Sequence, residues 1–357
     1  MKLYNIQYMR ALAALLVVYV HARHQVSGYS ESLVEFGSIG VDLFFVISGF
    51  IMVWIAKESD TPISFMKKRI LRIAPLYWAA TLAMALIVFL FPHLFKTAVF
   101  EFGHLIKSLL FIPHYSRGMS DRVGPLLHPG WTLNYEMYFY LVFAISLLLT
   151  KTFRLLFIAS VTTVCFAVSN SPLLSGHALS DFLSYSIVFE FIAGAIAGTL
   201  YKADIRIGRF GTVALFLGSI ISFFALAGMP RGLSHGVPAL LFFVALVNVR
   251  LPKLEWASTL GDASYSLYLS HLFVMGACRK LLPPLLGEGL GPALAFVAIS
   301  ALLSVIVGLL VYKYIETGIL KRRNWTLIWE RLHSRTLKPD PSLAAVAPST
   351  EIADHNK

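Results

Sequence analysis

Arg10 and His21 stand eleven residues apart in the first apolar run of the chain. Eleven steps of a helix make three turns and about 20°, so the two side chains share a face, ~16 Å apart along the axis. Arg10 lies near the polar edge of the run and His21 well inside it. The pair reads either as a snorkelling anchor with a hydrogen-bonded histidine or as a cation and a base on one line. Residues 40–50, GVDLFFVISGF, place Asp42 at one end of a second run. A carboxylate there can orient a catalytic imidazole, and it is also what a helix N-terminus favours. In KKRILRIAP, Arg69 and Arg72 are three apart and fall on one helical side. Two such guanidinium groups suit bidentate phosphate recognition, while a topology-setting or anionic-lipid patch accounts for the same residues. HPGWTLNYEMYFY brings Trp131 and Glu136 to the end of another run among Tyr135, Tyr138 and Tyr140. An interfacial aromatic belt explains the rings but not Glu136. In GDASYSLYLSH, Ser264, Tyr268 and His271 sit at i, i+4 and i+7, a polar stripe ending in an imidazole. Charged groups within a bilayer cost about 2.5–3.5 kcal/mol each, so each demands a partner or a task.

The elements that must hold these residues are membrane helices. The chain has 357 residues, 57% hydrophobic and only 14% charged, with a mean hydropathy of +0.72. A water-soluble globule carries roughly 25% charged residues and is excluded. The apolar runs are continuous instead of alternating, which excludes an outer-membrane barrel. The expected architecture is all-α, a polytopic helical bundle of about ten spans near residues 8–25, 38–56, 73–92, 131–150, 154–170, 182–200, 210–228, 233–249, 258–278 and 291–313. A shorter piece, 105–113, is expected as a re-entrant or interfacial helix in a long outer loop. With both termini in the cytoplasm, 22 of the 30 Lys and Arg fall inside, so the positive-inside rule selects an N-in, C-in arrangement.

The net charge of +11 therefore reports topology, and no nucleic acid is expected as a partner. Cys165 and Cys278 lie in apolar runs and suggest neither disulfide nor metal. The first run lacks a small-residue cleavage pattern and is expected to be retained. Gly194 and Gly198 have the spacing of close helix packing. There is no phosphate-binding glycine loop, nucleophile elbow or zinc-type His-Glu-x-x-His. A membrane domain over 1–320 and a cytoplasmic polar tail over 321–357, partly disordered, complete the expected organisation.

Taken in order, these blocks resemble acyltransferase family 3, the integral-membrane O-acyltransferases, and within it the exopolysaccharide-modifying branch. Arg10 and His21 fit the family's Arg-x10-His, GVDLFFVISGF its second-span block, and Arg69 with Arg72 its Arg-x-x-Arg. WTLNYE is similar to Trp-Ser-Leu-x-x-Glu, with Thr132 in place of Ser, and SYSLYLSH fits the late Ser-Tyr-x-Leu-Tyr-Leu-x-His. The family's Glu-x-Pro after the last span is here Glu316-Thr317-Gly318, so no role is assigned to Glu316.

The resemblance implies transfer of an acyl group, most often acetyl, from cytoplasmic acyl-CoA to a sugar hydroxyl of a surface or secreted glycan. The acceptor would be a polysaccharide or lipid-linked oligosaccharide, the location the cell inner (plasma) membrane, and polysaccharide-assembly proteins possible partners. No extracytoplasmic hydrolase-like domain is expected, and no metal. Acyl transfer needs a base, oxyanion stabilisation and a dock for a polyanionic donor. His21 is expected to take the acceptor proton, with Arg10, Arg69 and Arg72 on the CoA phosphates and an extended pantetheine arm spanning the ~16 Å to His21. Glu136, Asp42 and His271 would orient the base or bind sugar, with Trp131, Ser264 and Tyr268 beside the substrates. An acyl-His intermediate is an alternative to direct transfer. A transporter or flippase of a lipid-linked sugar or acyl donor, and a non-catalytic assembly subunit, are the competing classes.

Overall fold

The computed structural model describes residues 3–26, 35–95, 98–116, 119–174, 176–287 and 289–321. Most of the expected polar tail lies outside the described residues, as do Lys2, Lys96 and Arg117 of the charge count. Each expected apolar run falls on helix: α1 (Tyr4–Arg23), α2 (Ile39–Ile55), α3 (Pro62–Leu90), the short α4 (Phe102–Leu109), α5 (Gly130–Ser146), α6 (Lys151–Ser169), α7 (Ala178–Leu183), α8 (Val188–Lys202), α9 (Arg209–Ala225), α10 (Val237–Val247), α11 (Glu255–Asp262), α12 (Ser264–Leu281), α13 (Pro283–Leu286), α14 (Leu290–Val311) and α15 (Thr317–Lys321). By length and apolarity, Pro62–Leu90, Lys151–Ser169, Ala178–Lys202 and Leu290–Ile319 suffice to cross a bilayer, and Ile39–Ile55, Arg209–Ala225 and Gly232–Val247 are apolar but shorter.

Three departures from the sequence expectation have local causes. The basic segment before the third run is continuous with it in one helix: Thr61 and Ser64 form a capping box and Pro62 occupies the first turn, so α3 starts eleven residues before the expected run and carries Arg69 and Arg72 on its own surface. The run expected over 258–278 is two helices, α11 and α12, broken at Ala263. Gly261 of α11 packs so closely on α1 that a Cβ would lie 2.1 Å from the Gln7 carbonyl oxygen. The segment between α4 and α5 contains a small antiparallel strand pair, β1 (Tyr115–Ser116) with β2 (Met119–Val123), which no apolar alternation announced.

Helices α1 and α2 are central. Ile6, Met9 and Ala13 of α1 pack with α2 and α10, while Ala11, Ala14, Val18 and Ala22 face α12 and α14. Gly194 of α8 sits against α2, where a Cβ would meet the Val46 carbonyl oxygen at 2.0 Å, so the small-residue spacing is close helix packing. Helix α9 buries only Ser219, and Phe210 is 92% exposed. Large apolar side chains also cover the outside of α6, including Leu156 and Val164. A surface of this composition belongs in lipid, and the protein is a helical membrane protein.

Candidate active site

A cavity of about 1700 Å³ runs into the bundle between the N-terminal half of α1, the length of α2, the start of α3, and parts of α5 and α12. Drug-sized ligands fill roughly 300–1,000 Å³, so this space suits a longer molecule. Lys57, Lys67 and Lys68 stand at its mouth, and Arg10, Arg69 and Arg72 line it further in. Arg10 meets Arg69 and Arg72, some sixty residues later, because α1 and α3 both line this space.

The three guanidinium groups are not equivalent. Arg72 forms an ion pair with Glu316, a carboxylate only 2% exposed that also accepts a hydrogen bond from Ser266 Oγ at 2.5 Å. Arg69 stands over the rings of Phe65 and Tyr140, 5.8 Å from each centroid, and its Nε is buried without a partner. Among the described residues, the hydrogen-bond contact of Arg10 is a long one, 3.5 Å to Gln7 Oε1. A new anion entering the cavity thus meets Arg69 and Arg10 with unspent donors, whereas Arg72 already has a partner. Glu316, to which the sequence assigned nothing, is one of the residues that shape this site. Its signal was a lone acid closing the last apolar run.

Glu136 lies on the cavity wall, where Ser48 Oγ at 2.7 Å and Tyr140 Oη at 2.6 Å both donate to its Oε1. Ser264 also lines the cavity, with its hydroxyl buried and unpartnered. The deep end is closed by Thr132 and Tyr268. Their hydroxyls are 2.7 Å apart, and each also lies 3.0 Å from the Pro129 carbonyl oxygen. Two protons serve three contacts, so at most two of the three are hydrogen bonds at a time, and the Pro129 carbonyl only accepts.

Beyond that closure sit the histidines. The His271 ring is 6.0 Å from that of Tyr268 and 4.9 Å from that of His21, and the His128 ring is 6.5 Å from that of His21. His21 is half-buried and turned into the protein. Its Nδ1 donates to the Val17 carbonyl at 2.8 Å, which leaves the lone pair of the neutral ring on Nε2. His271 is fully buried, its Nδ1 donates to the Tyr268 carbonyl at 2.7 Å, and its Nε2 has no partner. Backbone carbonyls set both tautomers.

Asp42, expected to orient an imidazole or bind sugar, has a guanidinium as its hydrogen-bond partner. Arg231 grips it with two bonds, Nε to Oδ1 at 3.0 Å and Nη2 to Oδ2 at 2.6 Å, and a third from Nη2 reaches the Ser38 carbonyl at 3.1 Å. Asp42 is fully buried at the start of α2 and ion-paired with Arg231, with the buried Glu190 of α8 nearby. Trp131 also stays outside the cavity lining, in a ring cluster with Phe45, Tyr135 and Tyr185. Arg231 and Glu190 went unnoticed in the sequence; a charged residue in an apolar run was the available signal for Glu190. Among the described residues, no three His, Cys, Asp or Glu gather as metal ligands.

A family model described as an acyltransferase domain matches residues 3–313. The exopolysaccharide production protein ExoZ of Rhizobium meliloti is 35% identical over 299 residues, covering 80% of this chain and 90% of that protein. The acyltransferase MdmB of Streptomyces mycarofaciens is 25% identical over 313 residues, covering 78% of this chain and 80% of that protein. No solved structure gives a significant match.

Proposed function

Because the chain belongs to acyltransferase family 3 and is an O-acyltransferase, we propose that it moves an acyl group, most simply acetyl, from cytoplasmic acyl-CoA to a sugar hydroxyl of an exopolysaccharide or its lipid-linked precursor. In this proposal ten helices cross the cell inner membrane, both termini face the cytoplasm, and the cavity opens inward. The observation that carries it is one cavity with guanidinium groups near its mouth and, one residue layer past its deep end, an inward-turned imidazole.

The chemistry follows from that order. Arg69 and Arg10 hold the CoA phosphates, Arg72 completes the positive wall while tethered to Glu316, and the pantetheine arm reaches toward Tyr268. His21 Nε2 takes the proton of the sugar hydroxyl as its oxygen bonds to the thioester carbon. Thr132 and Tyr268 offer the nearest hydroxyl donors to the resulting oxyanion. Collapse breaks the C–S bond, and the thiolate recovers the proton from His21. His271 stacks edgewise on His21 and restricts its ring; Glu136, held by Ser48 and Tyr140, supplies an acceptor for a substrate hydroxyl or amide.

Reconstituted full-length protein, labelled acetyl-CoA inside the vesicles and mildly alkali-treated extracellular polysaccharide outside test the proposal. Label should appear in ester linkage on the glycan, and His21→Ala should lower the rate by about 10²–10⁴ with the protein still folded. Label transfer that survives His21→Ala refutes the base assignment. Glycan movement without label would mark a carrier.

A further inference from the structure

We infer that Tyr268, locked by Thr132 and the Pro129 carbonyl, is the gate that limits the donor to short acyl groups. This inference rests on the donor assignment proposed above and adds the substrate class to it. Cavity lining on α12 includes Ser264 and Tyr268 but stops before His271, less than one turn further on. On α1 it includes Arg10 and stops before His21. The last wall between donor space and imidazoles is therefore the phenol of Tyr268, edge-on to Phe44 at 5.9 Å and tied to α5 and the turn before it by its hydroxyl.

An acyl group on the pantetheine sulfur is the leading tip of the donor. For its carbonyl carbon to come within reach of a nucleophile activated by His21, the alkyl part must be accommodated at or past this wall. The wall is made of buried side chains: Tyr268 is 8% exposed, Thr132 7% and His271 0%. A two-carbon tip needs only a small rotation of the phenol, and the freed hydroxyl then points at the thioester oxygen. An eight-carbon tip must displace more of this wall, in which Tyr268, Thr132 and His271 are buried. Length selection thus comes from the hydrogen-bonded triangle that holds the ring across the passage.

The test uses the full chain in nanodiscs and two readouts. The first is kcat/KM for acetyl-CoA and octanoyl-CoA with the alkali-treated polysaccharide. The second is competitive binding of S-ethyl and S-octyl CoA thioethers, which needs no turnover. Tyr268→Ala should raise the octyl-to-ethyl binding ratio at least tenfold and shift kcat/KM in the same sense. Thr132→Val, which keeps side-chain shape, removes the two contacts of the Thr132 hydroxyl and leaves only the Tyr268–Pro129 side of the triangle, should move both ratios in that direction by a smaller factor. It serves also if the alanine variant does not fold. Ratios unchanged from wild type in a folded variant overturn the gate. Absence of transfer by wild type would count against the glycan reaction alone, since the thioether ratio still decides the gate.

Discussion

Replacing Arg231 with Met should destabilise the protein strongly, and the double variant Asp42→Asn/Arg231→Met should recover most of the loss. Asp42 is 0% exposed and receives two guanidinium hydrogen bonds at 3.0 and 2.6 Å. Removing one partner of a buried pair strands a charge and costs about 3–5 kcal/mol. The Arg231 side chain is 22% exposed, so solvent screening lowers this to about 2–4 kcal/mol. At ~1.4 kcal/mol per decade, that is a 30- to 1000-fold shift of the folding equilibrium. Detergent-unfolding titration of purified protein reads the shift, and acyl transfer on the same samples separates structure from chemistry. A structural pair predicts that the double variant regains both stability and transfer. If stability returned while transfer stayed lost, Asp42 would act in the reaction. If Arg231→Met cost less than about 1 kcal/mol, well below the range for a buried pair, the burial argument would be refuted.

Arg69→Ala should raise the donor KM with little loss of stability, since its Nε makes no bond. Arg72→Ala should do the same and also destabilise, because it strands the buried Glu316; Glu316→Gln in the same chain should restore stability but not KM. A Cβ on Gly194 would lie 2.0 Å from the Val46 carbonyl oxygen, so Gly194→Ala should force α2 and α8 apart at a cost of about 1–3 kcal/mol, visible as lost thermal stability. Between α3 and α5, His104 and His114 pack at 4.6 Å, both held below the usual imidazole range by burial. Nearby Glu101 opposes that shift in each ring and Lys107 reinforces it. Groups depressed on folding stabilise above their unfolded value, ~6.5, and that stability is lost as pH falls from there through the folded values. Hydrogen exchange in residues 98–116 should accelerate with acid over that window, and His104→Gln/His114→Gln should flatten the dependence.

The sequence by itself determined what is local. Continuous apolar runs gave the helices, and the eleven-residue step put Arg10 and His21 on one face, with Arg10 in the cavity and His21 just past its closed end. The i, i+4, i+7 stripe likewise placed Ser264, Tyr268 and His271 in order along one passage. Helical periodicity fixes such relations because it depends only on residues within a few turns. Partners across helices were another matter. Asp42 finds Arg231 at a separation of 189 residues and Arg72 finds Glu316 at 244. Which charges meet depends on how far each helix is rotated and how closely its neighbour approaches, and glycines such as Gly194 and Gly261 set those approaches through contacts with distant backbone. The closure of the cavity by Tyr268, Thr132 and Pro129 is likewise a property of three segments packed together, so only the tertiary structure decided it.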